Sequence, residues 1–292
     1  MILTNNENLP EPLFRAIEND DYNPGDCDIT VTQLVNPARQ GALMRHHRAV
    51  ITEDAADKIW IVLGKMGHKV LEQAAMKEVV EERLFHDFMG WKISGQMDIW
   101  LPRKEILDYK FTSAWAVKDG VKPEWEAQLN LYRWLALNQE KPFEVESLKI
   151  VAILRDWSKI EASKNGDYPP RQVKVLPVKV WTDAELLEYL KIKVNEHQSA
   201  RASLANDGII PLPECTEAER WVKPTKYAAM KGTNKRALKV CDTNEQAAAV
   251  SGCTHVDIRL GAWTRCENYC PVKEFCSQWK LRTQLDESDV PA

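Results

Sequence analysis

Two aspartates and a lysine, Asp98, Asp108 and Lys110, are spaced so that one β-hairpin would bring them together. In "ISGQMDIWLPRKEILDYKFTSAW" apolar residues alternate on either side of a Pro-Arg-Lys turn, which predicts antiparallel strands from Ile93 to Trp100 and from Glu105 to Phe111. A hairpin centred near Arg103 sets Asp98 opposite Asp108 on one face, with β-carbons about 4.5–5.5 Å apart. Lys110 lies two residues past Asp108 and points the same way. Like charges set opposite each other repel, so the pair asks for a cation, and oxygen donors of this kind suit Mg²⁺ or Mn²⁺. The inert alternative is a solvated surface hairpin. It accounts poorly for two aspartates, weak strand formers, set among core-type residues such as "EIL".

Two further groups stand outside the hairpin. Gln128 and Tyr132 are four apart in "PEWEAQLNLYRWLALN", a segment of strong helix formers, so they share a helix face. His68, after Gly67 in "LGKMGHKVLEQA", also falls on a helix, where a lone histidine is more often a surface or core residue than a ligand. Glu82 in "VVEERLFH" is a further carboxylate ahead of the hairpin, with Glu81 beside it as an equal candidate.

The order "SGQMD", "ILDYK", "QLNLY", with His68 upstream, resembles the PD-(D/E)XK nuclease superfamily and within it the RecB-like group, over roughly residues 30 to 155. The resemblance implies an α/β fold, a restriction-endonuclease-like core with a central mixed β-sheet flanked by helices. It implies catalytic roles for Asp98, Asp108, Lys110, Gln128 and Tyr132. It also implies a divalent metal held by His68, Asp98, Asp108 and the backbone carbonyl of Tyr109. A cation there would activate water and neutralise charge on a scissile phosphate, with Lys110 as an electrostatic partner. The function so implied is metal-dependent DNA exonuclease activity in phage-type recombination or DNA processing. An inactive DNA-binding or assembly module of the same fold and a restriction-type endonuclease are the alternatives.

The cysteines carry a second signal. "RCENYCPVKEFC" places Cys266, Cys270 and Cys276 within eleven residues, a density that suits metal-bound thiolates. Cys215, Cys241, Cys253, His255 and the distant Cys27 are candidates for a fourth ligand. "PECTEAERW" followed by the C-terminal trio resembles phage-encoded nucleases of the same superfamily, which favours Cys215. In related CRISPR-associated and AddB-type nucleases such a set holds a [4Fe–4S] cluster. The first gap of the trio has three residues here where those relatives usually have two, and zinc is the competing metal; plain buried thiols are the inert alternative.

At 292 residues with 44% hydrophobic content the chain can bury a sizeable core. The net charge of −4 neither announces nor excludes a nucleic-acid partner, because DNA contact needs only a local basic surface. "KPTKYAAMKGTNKRALK" offers Lys223, Lys226, Lys231, Lys235, Arg236 and Lys239 without an acid, and Trp221 and Tyr227 nearby offer stacking. A solvated loop is the bland reading of that run. The seven cysteines without a secretory leader point to a cytoplasmic protein, in the bacterial host if phage-encoded, and no apolar stretch reaches transmembrane length. The partners so implied are DNA and a single-strand annealing or recombination protein.

Organisation along the chain reads as a loosely ordered lead-in over 1–28, a nuclease core over 29–206, a cysteine-containing region over 207–281 and a disordered tail over 282–292. "DITVTQLVNPARQGALMRHH" reads as a short strand or turn entering a helix, with helices continuing through Val79. A second strand pair is predicted from Ser147 to Arg155 and from Arg171 to Val180, and Thr182 with Glu185 forms a capping box that opens a long helix to about Ala205.

Overall fold

The computed structural model describes residues 1–19, 22–74, 79–205 and 211–288. The chain divides into two units, Met1–Ala42 with Arg48–Leu212, and Leu43–His47 with Pro213–Ala292. In chain order the first unit carries β1 (Ile2–Thr4), α1 (Glu11–Glu18), β2 (Ile29–Thr30), α2 (Val31–Val35), the start of α3 (Ala38–His46), β3 (Thr52–Asp54), α4 (Ile59–Ala74) and β4 (Val79–Phe88). It continues with β5 (Trp91–Leu101), β6 (Glu105–Thr112), α5 (Pro123–Leu137), β7 (Ser147–Leu154), α6 (Lys159–Lys164), β8 (Val173–Val178) and α7 (Asp183–Ala205). The second unit adds α8 (Glu217–Arg220), β9 (Val222–Lys223), β10 (Lys226–Met230), β11 (Lys239–Cys241), α9 (Asn244–Ala248), β12 (His255–Arg259), β13 (Ala262–Trp263), α10 (Thr264–Asn268) and α11 (Ser277–Ser288).

The first unit is a mixed sheet flanked by helices, in the order β2-β5-β6-β7-β8 with β4 also on β5. β5 and β6 are antiparallel, β6 and β7 parallel, β7 and β8 antiparallel. A parallel pair needs a crossover, and α5 supplies it between β6 and β7. Pro123 opens that helix, where its missing N–H costs nothing, and Glu124 and Glu126 sit in the first turn against the positive end of the helix dipole. Leu129, Leu131 and Leu135 of α5 join Ile93, Met97, Ile106, Leu148 and Ile150 of the sheet in one buried core. Thr182 and Glu185 form the reciprocal cap of α7, each side chain accepting the other's backbone N–H, and Thr30 with Gln33 does the same for α2.

The hairpin between β5 and β6 has Leu101 opposite Glu105 and a three-residue Pro-Arg-Lys loop whose last residue, Lys104, is left-handed at φ 63°. Its register, Ile99↔Leu107 to Leu101↔Glu105, centres on Arg103 as the alternation predicts. One edge of β5 pairs with β4 from Trp91 to Trp100. The other edge is divided: Ile99–Leu101 pair with β6, Ile93 and Ser94 pair with β2, and the stretch from Gly95 to Asp98 lies between those two ladders.

There the strands also change phase. Gly95 faces α5, and a β-carbon on it would stand 2.7 Å from Leu135 Cδ1 and 2.9 Å from the Tyr132 ring. An unbroken ladder would set Phe111 on the same face. Phe111 instead lies under Gly67 of α4, where an added β-carbon would stand 2.0 Å from its Cζ. Asp98 and Asp108 are therefore not side by side on a flat strand pair. They flank the point where β5 and β6 part.

Several expectations change. The lead-in read as loosely ordered forms β1, paired in parallel with β3, and α1, which buries Ile17. Val79 opens β4 and is not the end of a helix; the described part of that helix closes at Ala74. Arg282–Ser288, assigned to a disordered tail, continue α11. The break read at "NDGIIPLPE" falls largely on 206–210, outside the described residues.

The second unit is built on β10, flanked by β11 and β12, with β9 and β13 as a separate pair. Its small core holds Ala229, Cys241 and Ala247, with Tyr227 packed against them.

Candidate active site

The gap between β5 and β6 gathers the predicted groups. Asp98 Oδ2 accepts the backbone N–H of Tyr109 at 2.7 Å, taking a donor that a continuing ladder would have given to a carbonyl. Asp108 is 1% exposed, and Lys110 Nζ stands 2.7 Å from its Oδ2. That contact is an ion pair without hydrogen-bond alignment, and the oxygen has no hydrogen-bond donor. Lys110 also donates to Gln128 Oε1 at 2.9 Å, and Gln128 Nε2 donates to the Tyr132 hydroxyl at 2.7 Å. A side-chain hydrogen bond to Thr32 of α2 completes the chain. Gln128 and Tyr132 thus act on the lysine through hydrogen bonds rather than meeting the carboxylates.

His68 approaches from α4, its Nδ1 3.6 Å from Asp98 Oδ2 and its ring edge-on to Phe111 at 5.8 Å. Glu82 sits on β4 opposite Met97, one residue out of phase with Asp98, and is exposed. The side chain of Glu81 lies outside the described residues.

The electrostatics follow from burial. Desolvation, and then the neighbouring Asp108, push the Asp98 carboxyl up to about 7, against the pull of His68, Lys110 and the Tyr109 N–H. Burial and the same two aspartates hold the Tyr132 phenol well above its usual range, so it serves as a neutral hydroxyl. Two carboxylates, Asp98 half-buried and Asp108 buried with an oxygen that lacks a hydrogen-bond donor, are a hard oxygen donor set that fits Mg²⁺ or Mn²⁺. His68 stands beside them as a nitrogen donor. Among the described residues, no group of three or more His, Cys, Asp or Glu side chains already has the spacing of a bound cation. The Lys110 ammonium occupies part of that role at Asp108.

In the second unit Cys266, Cys270 and Cys276 are near enough to act on one another electrostatically. Burial first, then Cys270 and Cys276, push the Cys266 thiol up to about 11. Burial is also the main cause raising Cys270. Gln278, two residues past Cys276, bonds both the N–H and the carbonyl of Cys215, each at 3.0 Å. Cys241 is buried in the β10–β11 core, the Cys253 thiol donates to the His255 carbonyl, and the Cys27 thiol donates to Pro24 O in the first unit.

Of the basic run, Lys223 lies on β9, Lys226 on β10 and Lys239 on β11, while Lys231, Lys235 and Arg236 stand exposed in the loop between β10 and β11. Lys226 is paired with Asp242. Tyr227 is half-buried and packs against the small core of the second unit. Trp221 is 39% exposed, edge-on to Tyr269, with the Arg265 guanidinium 5.2 Å from its ring centre. Among the described residues no helix is long and apolar enough to cross a membrane.

No protein-family model matches the chain, and no curated protein matches it. Solved structures with some similarity include SSO0001, 17% identical, covering 63% of this chain and 84% of that one at TM-score 0.44. A phage-related exonuclease from Haemophilus somnus is 17% identical over 58% of this chain and 81% of its own, TM-score 0.38. An alkaline exonuclease from Laribacter hongkongensis is 11% identical over 68% and 97%, TM-score 0.38. Likeness at this distance says nothing of the chemistry, which is read from the side chains.

Proposed function

We propose that this chain is a divalent-metal-dependent DNA exonuclease of the PD-(D/E)XK superfamily, RecB-like group, hydrolysing phosphodiester bonds in phage-type recombination or DNA processing. The observation that carries this reading is the pair of half-buried Asp98 and buried Asp108 at the parting of β5 and β6, with Lys110 drawn in between Asp108 and Gln128. In it Asp98, Asp108 and His68, with the Tyr109 carbonyl, hold Mg²⁺ or Mn²⁺. Such an ion supplies charge neutralisation at a phosphate and a lowered pKa for water. Asp98 must shed its proton to take part, and the Tyr109 N–H fixes the oxygen that it presents. Lys110, positioned by the Gln128–Tyr132 relay, offers a cation where negative charge develops on the phosphate.

The same reading assigns Cys215, Cys266, Cys270 and Cys276 to one [4Fe–4S] cluster or zinc ion that holds the second unit together. The mutual proximity of the trio and the Gln278 tie to Cys215 support it. The exposed cations of the β10–β11 loop are its DNA contacts. The partners are DNA and a single-strand annealing or recombination protein in a bacterial cytoplasm.

The test is degradation of linear duplex against covalently closed circles, in Mg²⁺, Mn²⁺ or EDTA. Loss of linear DNA alone, dependent on metal and abolished by Asp108→Ala, is the expected result. Cutting of closed circles would make the enzyme an endonuclease, and absence of metal-dependent cleavage would overturn the reading.

A further inference from the structure

We infer that Trp60, Arg155 and Trp115 form a stacking platform for the bases of single-stranded DNA, running away from the Asp98–Asp108 pair along the C-terminal end of β6. The inference rests on the nuclease reading for the identity of the ligand and goes beyond it in naming where a single strand lies. Its geometry is continuous within the first unit. The Arg155 N–H donates to the Thr112 carbonyl at 3.0 Å, so the chain leaving β7 stays beside the end of β6. The Arg155 guanidinium lies 4.0 Å from the Trp60 ring centre, reaching the first turns of α4. The next residue, Asp156, accepts the Ala114 N–H at 2.7 Å and so fixes the turn that carries Trp115. Tyr168 meets Trp115 edge-on at 5.4 Å, and its hydroxyl donates to the Asp156 carbonyl at 3.2 Å.

Chemistry points to the occupant. Trp60 is 54% exposed and Trp115 48%, each with a cation against its ring, Arg155 at 4.0 Å and Lys118 at 5.6 Å. Lys118 is also paired with Asp167, whereas among the described residues no carboxylate is paired with Arg155. Half-open indoles interleaved with cations are how single strands are held without sequence preference, the rings taking base faces and the cations the backbone. Thr112 is four residues past Asp108, ~13 Å along a strand.

Binding of a labelled 20-mer oligothymidylate in EDTA, followed by fluorescence anisotropy across a salt series, tests this. Trp60→Ala and Trp115→Ala should each weaken binding about tenfold or more, and Trp60→Phe should keep most of it. Arg155→Ala should weaken binding and reduce the salt slope by about 0.7. Wild-type affinity in both alanine variants overturns the platform, whatever the cleavage assay shows. A change of oligomeric state in Trp60→Ala at unchanged affinity also overturns it and makes this face a contact between copies. Loss of affinity together with a wild-type chain that cleaves nothing leaves the platform standing and removes the nuclease reading. Thermal melts of each variant, with Trp60→Phe as reference, separate lost stacking from lost fold.

Discussion

The Asp98 carboxylate accepts the backbone N–H of Tyr109 at the point where the pairing of β5 and β6 stops. A side-chain oxygen stands in for the carbonyl that a continuing ladder would supply, so no donor is stranded as the strands part. The same oxygen lies 3.6 Å from His68, and Asp108 raises the Asp98 pKa, so one bond both ends the ladder and aims the acid.

Metal binding should therefore depend on pH in a defined sense. The folded, metal-free chain keeps a proton on Asp98 between 3.8, its ordinary value, and about 7, where the unfolded chain has lost it. This group's contribution to stability thus falls as pH rises through that window and is level above it. A cation needs the carboxylate and displaces the proton, so its affinity rises with pH to about 7 and then flattens. Thermal midpoints with and without Mg²⁺ across a pH series check this. A Mg²⁺-induced shift of constant size from about pH 5 to about pH 8 would contradict it.

Removing Asp108 and removing Lys110 should fail differently. Asp108→Ala takes away a proposed ligand and a charge that raises Asp98, so cleavage and metal binding should both be lost while the Asp98 pKa drops. Lys110→Ala leaves both carboxylates and should keep Mg²⁺ binding while turnover falls by about 10²-fold or more. Calorimetric metal titration beside single-turnover cleavage distinguishes them. Equal loss of metal binding in both variants would remove the positioning role given to Gln128 and Tyr132.

Much of this site is legible in the sequence because a strand repeats every two residues. The alternation about Pro102–Lys104 predicts the observed register, and the four-residue spacing of Gln128 and Tyr132 predicts their shared helix face. The parting of β5 and β6 is not legible, since a register argument assumes that the ladder runs on. It arises where β2 takes over the edge of β5, a contact made by Ile29 and Thr30 from far up the chain. β4 escapes notice because "VVEERLFHDF" mixes charged and apolar residues like a helix. Trp60 and Arg155 meet only in three dimensions, and no spacing rule links them.

Gly67→Ala tests how α4 presents His68. An added β-carbon would stand 2.0 Å from Phe111 Cζ, so the helix or the ring must shift. Overpacking of this kind costs about 1–3 kcal/mol, against about 1 kcal/mol gained in helix propensity. The variant is expected to be less stable in urea and to bind Mg²⁺ more weakly, and Phe111→Leu should relieve both. A gain in stability would show that α4 leaves room for a methyl group above Phe111.

The β10–β11 loop should carry part of the salt dependence of DNA binding. Replacing Lys231, Lys235 and Arg236 together by Ala removes up to three phosphate contacts, each worth a slope of about 0.9 on duplex DNA. Binding isotherms from low to high salt measure it. An unchanged slope would return the loop to solvent.

The thiols should act on folding and leave hydrolysis alone. Cys266, left metal-free, is held up to about 11 by burial and by its cysteine neighbours, so a metal must displace protons that are costly to remove, and binding should release them. The hydrolytic cation favours oxygen donors, whereas a thiolate set selects iron in a cluster or zinc. A site closed by four protein ligands leaves no position for substrate, which confines its contribution to the fold. Cys270→Ser is expected to lower solubility and the thermal midpoint of the second unit, with cleavage per folded molecule close to wild type. Elemental analysis after anaerobic purification identifies the metal: about four irons per chain with broad visible absorption for a cluster, or one zinc. Metal-free protein whose stability is unchanged by Cys270→Ser would leave these residues as buried thiols.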